Sequence, residues 1–438
     1  MKLMLNYSPV LTAAAAGLAT LALAPAVLAQ AGACEALDLP GEKLFGAGGS
    51  AVTPTLALIA EGLANLPEEE RVNIFWADGK AACGGLAYWQ GTDTTPAVYK
   101  YWDENGTQAT CTDSPALVKF AHMGNTPALC PGNPTLAEGT ARLVAPVMTL
   151  DFITHFDSNR KSISREALYH ILGFGAGIYD IEPWNNNNAI FGRTLSSFVA
   201  QFASGAVGVP AASFKIINDA SHLFAQNSQV VAAVAGWAGD PEEALGFVSG
   251  SNATKGYNDG DTRTLAYQHT DQTCAYLPDS QEGQPDRANV RSGQYYIWTP
   301  AWFYTQVDEH NEPVDENVAK LISWFNGSLD TPDGYVAIFN RSTPDPLDDI
   351  ELDNIQETIV RAGDVPLCAM HAMRFQGDFS AIASYAPENP CNGWYEDVAF
   401  GGDAYQTCDV STQCDGYEEN AAHEPTGEQC RFGFCEAY

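Results

Sequence analysis

Phe45-Gly46-Ala47-Gly48-Gly49-Ser50 is followed by an apolar-periodic stretch over residues 56–66. This order reads as a strand end, a glycine-rich turn and a helix. A glycine-rich turn at a helix start aims backbone N–H groups at one point, and the helix dipole adds positive potential there. It is a candidate oxyanion cradle through Gly48, Gly49, Ser50 and Ala51; the plainer alternative is an ordinary turn.

Outward from this stretch, strand and helix patterns alternate. Val72–Ala77 is β-prone, and Cys83-Gly84-Gly85 reads as a second glycine turn. Residues 91–115 read as a loop or hairpin, with Asp103, Asn105 and Gly106 as turn formers. Residues 143–156 read as a strand, and 162–172 as a helix capped by Ser162 or Ser164. Ile190–Arg193 and Leu245–Ser249 are short strands; 195–204 and 229–235 are helical. Residues 293–305 are aromatic and strand-like. Residues 317–326 form an amphipathic helix with Val318, Leu321, Ile322 and Phe325 on one face. The alternation argues for an α/β fold. The chain has 438 residues, 45% of them hydrophobic, more than one ordinary core holds, so two lobes are expected.

The first residues predict export. Lys2 precedes an uncharged Ala/Leu-rich run over 11–28, which ends in Ala29-Gln30-Ala31, the small-x-small pattern of a cleavage site. Cleavage is expected after Ala31, with lipidation at Cys34 as a competing maturation. No later stretch reads as a membrane span. The net charge of −33 excludes charge-driven binding to nucleic acid or anionic lipid, and means that any anionic ligand must be attracted locally.

Eleven cysteines leave one over if the rest pair. After about Gly401 the chain turns polar and cysteine-dense, and Cys408, Cys414, Cys430 and Cys435 are expected to bond among themselves. Zinc at these four is the lesser reading for an exported chain, whose thiols oxidise. Cys368 is expected to pair with Cys391, which outweighs copper binding at Cys368-Ala369-Met370-His371-Ala372-Met373; Cys111 with Cys130 is a reasonable third bond. The acidic stretch 343–357 reads as a surface loop leading into a helix. No Gly-x-Ser-x-Gly, His-Glu-x-x-His or Cys-x-x-Cys-His motif is present, and the eight histidines are scattered, so the chain does not read as an enzyme. No cofactor is implied.

Ile163-Ser164-Arg165-Glu166-Ala167-Leu168, Pro183-Trp184-Asn185, Arg193, Ser196-Ser197 and Gly293-Gln294-Tyr295-Tyr296-Ile297-Trp298-Thr299-Pro300 follow the opening turn in order. Over roughly residues 44–330 the chain resembles the phosphate-binding proteins of bacterial ABC transporters, most of all their divergent, cysteine-containing kind found in myxobacteria. The resemblance implies the type II periplasmic-binding fold: two α/β lobes joined by crossover strands, closing on ligand by a hinge. Together with the export signal and the tail read above, the expected organisation is a signal peptide over 1–31, a first lobe over 32–142 with a return part and surface loops over 256–400, a second lobe over 143–255, and a cysteine-rich tail over 401–438. The resemblance places oxyanion contacts at Ser50, at Asn125 of Met123-Gly124-Asn125-Thr126-Pro127, and at Arg193 with Ser197. Asn125 stands where the family carries an acid, Phe198-Val199 where it carries Gly-Thr, and Ala51 where it carries an aromatic residue. The expected ligand is phosphate or a similar oxyanion, the expected partner an ABC permease. Arg193 is expected to be the main positive charge of an open cleft, with little role in folding. The rival expectation is a cell-surface or secreted interaction protein that keeps the fold without transport.

Overall fold

The computed structural model describes residues 33–438 except 131, 133, 340–348, 376, 388, 404, 410, 415–427 and 438. The expected signal peptide and the first part of the acidic stretch lie outside the described residues. The body spans Gly32–Tyr438.

The chain opens with β1 (Glu42–Gly48), α1 (Thr53–Ala64), β2 (Val72–Ala77) and α2 (Ala81–Trp89). β1 and β2 pair in parallel, and every residue of β2 is buried, as a strand covered on both faces requires. A hairpin follows, β3 (Ala97–Trp102) and β4 (Gln108–Asp113). Its turn is closed by Asp103, whose carboxylate accepts from the Asn105 and Thr107 N–H groups at 2.9 and 2.8 Å. β5 (Phe120–Met123) pairs in parallel with β1.

The sixteen-residue β6 (Thr140–His155) then links two halves of the sheet. Beyond it come β7 (Ser162–Ser164), α3 (Arg165–Phe174), β8 (Ile190–Arg193), α4 (Phe198–Val207), β9 (Leu223–Phe224), α5 (Asn227–Ala235), β10 (Leu245–Ser249) and α6 (Gly250–Asn258). Ser164 caps α3, its hydroxyl accepting from Ala167 N at 3.1 Å. After β11 (Thr262–Thr264), β12 (Ala266–Gln268) and the short α7 (Ala288–Arg291), the chain returns through β13 (Trp298–Gln306) and α8 (Glu316–Asn326). The apolar face of α8 is buried as its periodicity predicts: Val318, Leu321, Ile322 and Phe325 are all in the core. β14 (Ala337–Phe339), β15 (Ile350–Leu352), α9 (Ile355–Arg361), the pair β16 (Ala372–Met373) and β17 (Ala383–Ser384), and the tail pair β18 (Glu428–Arg431) and β19 (Phe434–Ala437) complete the order.

The sheet order is β4-β3-β2-β1-β5-β13-β6-β10-β8-β9. β6 is shared: Thr140–Thr149 runs against β13, while Leu150–Ile153 runs against β10. The returning chain passes close beside this crossing, for Leu150 N donates to Ile297 O at 3.1 Å and the Tyr295 hydroxyl to Leu150 O at 2.7 Å. This is the expected α/β architecture, two sheet-and-helix halves joined by crossing chain.

Two readings of local sequence change. Cys83-Gly84-Gly85 is not a turn but lies within α2. Gly85 lets that helix touch β1, since a Cβ there would stand 2.5 Å from Gly48 Cα. Helix α4 begins at Phe198 rather than 195, because the Ser197 hydroxyl accepts from Ala200 N at 3.2 Å and fixes the start.

Five disulfides are formed among the described residues. Cys368–Cys391, Cys408–Cys430 and Cys414–Cys435 agree with expectation. The expected Cys111–Cys130 bond is replaced by Cys34–Cys111 and Cys83–Cys130. Cys111 lies on β4, next to the chain's entry at residue 34, whereas Cys130 faces α2; disulfide geometry requires such close Cα pairs, here 5.1 and 5.5 Å. The Cys34 sulfur is therefore committed, and lipidation there does not fit this fold. The odd thiol is Cys274, which is exposed. Cys408, Cys414 and Cys435 cluster closely enough to hold a metal, but two disulfides consume their sulfurs. No helix of the described residues is long and apolar enough to cross a membrane.

Candidate functional site

A cleft of about 400 Å³ opens between the halves of the sheet, at the carboxyl ends of β1, β2 and β8. Ligands in open α/β folds sit at this end of the strands. The first half contributes Gly49, Ser50 and Ala51 after β1, and Asp78, Gly79 and Lys80 after β2. The second half contributes Arg193, Ser196, Ser197 and Phe198 around β8 and α4, with Ala225 and Gln226 before α5. The structure thus brings together six of the eight residues singled out in the sequence: Gly49, Ser50, Ala51, Arg193, Ser196 and Ser197.

The elements explain the electrostatics. Residues at the N-terminal ends of α1, α2, α4 and α5 all line this one cleft. Each helix start carries about half a positive charge from its aligned peptide dipoles. Neither α1 nor α2 has a side-chain cap, so their first-turn N–H groups are free of that competitor. Ala81, at the start of α2, holds φ 57° and ψ 177°, a conformation costly for any residue but glycine. That strain sits in the cleft wall.

Arg193 ends β8 with 5% of its surface exposed. Nε donates to Phe224 O at 3.2 Å and Nη2 to Ala225 O at 2.6 Å, which leaves Nη1 without a protein partner among the described residues. Burial lowers its pKa to about 10, so it stays protonated at neutral pH. Among the described residues no carboxylate pairs with it. The two lysines nearby differ: Lys80 meets Asp93 at 2.9 Å and Lys100 meets Asp78 at 2.6 Å. Ser197 has its oxygen engaged by Ala200 N, but its O–H remains able to donate.

Two expected residues stand elsewhere. Gly48 faces the sheet, where a Cβ would meet His122 O at 2.1 Å; it is a packing glycine. Asn125 is fully buried beside the Cys83–Cys130 disulfide, its amide donating to Thr126 O at 3.1 Å, and it does not line the cleft. An acid that sequence reading did not single out, Asp78, does line the cleft. Lys100 and Thr53 both bond its Oδ2, at 2.6 and 3.3 Å, and no hydrogen bond reaches Oδ1 from the described residues. The signal was available: Asp78-Gly79 directly follows the buried strand Val72–Ala77, at the end where ligands gather.

Solved structures of similar fold include an ABC-type phosphate transport receptor from Vibrio cholerae, at 13% identity over 74% of this chain and 99% of that one, TM-score 0.43. A putative phosphate ABC transporter substrate-binding protein with bound phosphate from Clostridium perfringens gives the same identity, coverage and TM-score. PstS from Borrelia burgdorferi is similar at 12% identity over 74% of this chain and 98% of that one, TM-score 0.38. No protein-family model matches the sequence, and no curated protein matches it.

Proposed function

We propose that this chain is an exported solute-binding protein that captures phosphate or a similar oxyanion in the cleft, for uptake through an ABC permease or for sensing. The observation that carries the reading is Arg193: a buried cation, without a carboxylate partner among the described residues, facing a cleft where four helix starts converge. A desolvated cation of this kind calls for an anion. The five disulfides favour an oxidising compartment, which fits export.

The mechanism is binding, not turnover. Arg193 Nη1 and the Ser50 and Ser197 hydroxyls donate to the oxyanion, together with N–H groups at the starts of α1 and α2. Asp78 Oδ1 accepts the proton that monohydrogen phosphate carries and sulfate lacks. The two lobes, divided at the crossing of Leu150 and Ile297, close about that crossing and present a new surface to a membrane partner.

Calorimetric titration with phosphate and sulfate tests this. Phosphate is expected to bind more tightly than sulfate, and Arg193→Ala to weaken phosphate binding by about 2–4 kcal/mol. Wild-type protein that binds neither anion would leave the second reading, a secreted interaction protein. The feature that favours that second reading is the stapled tail. It docks on the body away from the cleft: Arg431 Nη2 donates to Gly327 O at 2.9 Å, and Glu436 Oε1 accepts from Gly393 N at 2.6 Å.

A further inference from the structure

The cleft is larger than an inorganic oxyanion needs, and its two ends differ in chemistry. A tetrahedral ion has five heavy atoms and displaces roughly the volume of two or three waters of ~30 Å³ each. The Arg193 cleft alone offers about 400 Å³. It continues into an annex of about 220 Å³, and the two share Ser50, Asp78 and Gln226 as a common rim. Cavities of this combined extent have room for an organic ligand.

The annex mixes polar and apolar surface and carries no free positive charge. Its basic residue, Lys100, is committed to Asp78. The remaining wall is made of the polar side chains of Thr53, Gln108, Asn227, Ser228 and Asn252, with Pro54, Ala57 and the largely buried Trp102 as apolar surface. Asn227 is 4% exposed; its Nδ2 donates to Ser249 Oγ at 3.2 Å, and its Oδ1 finds no hydrogen-bond partner. A buried acceptor left without a donor is costly in a folded protein. Asn252 likewise spends its Nδ2 on Ser249 Oγ at 2.9 Å, which leaves its carbonyl oxygen to accept. Gln108 stands exposed at the end of β4, with no side-chain bond among the described residues.

We infer that the ligand is a phosphate monoester of a neutral polyhydroxylated group, its phosphate on Arg193 and its hydroxyl-bearing part in the annex. The inference rests on the oxyanion reading of the cleft and deepens it. A second phosphate does not suit the annex, which has no cation to spare. A wholly apolar ester does not suit it either, because Gln108, Gln226, Asn227 and Asn252 and the hydroxyls of Thr53 and Ser228 share the wall with Trp102, Pro54 and Ala57, a mixture that suits a group with both hydroxyls and C–H faces.

The experiment is titration of the full mature chain with inorganic phosphate, glycerol 3-phosphate, glucose 6-phosphate, glycerol and glucose. At least one monoester is expected to bind tenfold or more tightly than inorganic phosphate, and the neutral polyols not to bind measurably. Gln108→Trp, which fills the annex from its exposed rim, is expected to lower the ratio of monoester to phosphate affinity at least tenfold; circular dichroism confirms that the variant folds. Asn227→Ala is a second probe expected to lower the same ratio. Phosphate binding with equal or weaker monoester binding overturns this inference and leaves the oxyanion reading standing. A ratio unmoved by Gln108→Trp also overturns it. Failure of phosphate and of every monoester to bind overturns both.

Discussion

Arg193 has two duties that pull in one direction. Its guanidinium ties the carbonyls of Phe224 and Ala225, on the strand and turn that lead into α5, and offers its remaining edge to the cleft. The sequence suggested a residue of an open cleft with little part in folding; burial to 5% exposure changes that expectation. Arg193→Ala takes the side-chain donor from the Ala225 carbonyl and one of two donors from Phe224 O, which Thr194 N still reaches at 2.9 Å, and is expected to lower stability by about 1–3 kcal/mol without ligand, read as a fall in denaturation midpoint. A wild-type midpoint in that variant would show that the two carbonyl bonds are incidental. Asp364 makes a separate case. It is buried beside Val365, whose backbone pairs with Val147 on the crossing strand, and Thr55 donates to its Oδ2 at 2.6 Å. Burial raises its pKa to about 7, against the opposing pull of the Thr55 hydrogen bond and the nearby Arg287. In the unfolded chain the same carboxyl ionises near pH 4. Between these values the folded state holds a proton that the unfolded state has lost, so this group's stability is full below about pH 4 and is lost as pH rises through about 7. Asp364→Asn is expected to gain about 1–3 kcal/mol relative to wild type at pH 8 and little at pH 4. Equal gains at both pH values would refute that assignment.

At the scale of elements, α2 decides whether the cleft exists. Its start supplies Lys80, Ala81 and Ala82 to the cleft wall, and its contact with β1 depends on the absence of a side chain at Gly85. Gly85→Ala puts a methyl 2.5 Å from Gly48 Cα and 2.6 Å from Gly48 N, backbone atoms that cannot turn aside. A loss of about 1–3 kcal/mol and weaker oxyanion binding are expected together, checked by thermal denaturation and titration. Stable protein with weakened binding would show that α2 moved and the sheet did not. The same helix marks the limit of sequence reading. Strands β8 and β10 and the cap of α3 were legible because a short apolar run or a serine before an acidic first turn has few competing explanations. Gly84-Gly85 looked like a turn because glycine lowers helix propensity, and only a contact with Gly48, 37 positions earlier in the chain, explains its presence. The cleft was legible at Ser50, Arg193 and Ser197, which lie beside strand ends. Asp78 was missed and Asn125 wrongly sought, since resemblance in a loop motif says nothing about which side of the sheet a side chain faces.

For the whole molecule, charge sets the approach of any ligand. The chain carries 54 acids against 21 bases. At low ionic strength this net field reaches about 30 Å into solvent at 0.01 M salt and repels an anion before it meets the cleft. Arg193 and the helix starts act only within the cleft, where burial reduces screening. Raising salt from 0.01 to 0.15 M shortens the reach of the repulsive field to about 8 Å while sparing the local attraction. Phosphate association is therefore expected to quicken several-fold over this range, the reverse of what a basic protein shows with an anionic ligand. Stopped-flow fluorescence, using the tryptophans of the body as reporter and sodium chloride to set ionic strength, measures it. Dissociation is expected to change less than association, because the bound ion is held by short charge-assisted hydrogen bonds. An association rate that falls steadily with salt would mean that the approach is steered by a positive surface that outweighs the net charge. The repulsion argument, and with it the isolation of Arg193 as the cleft's working cation, would then fail.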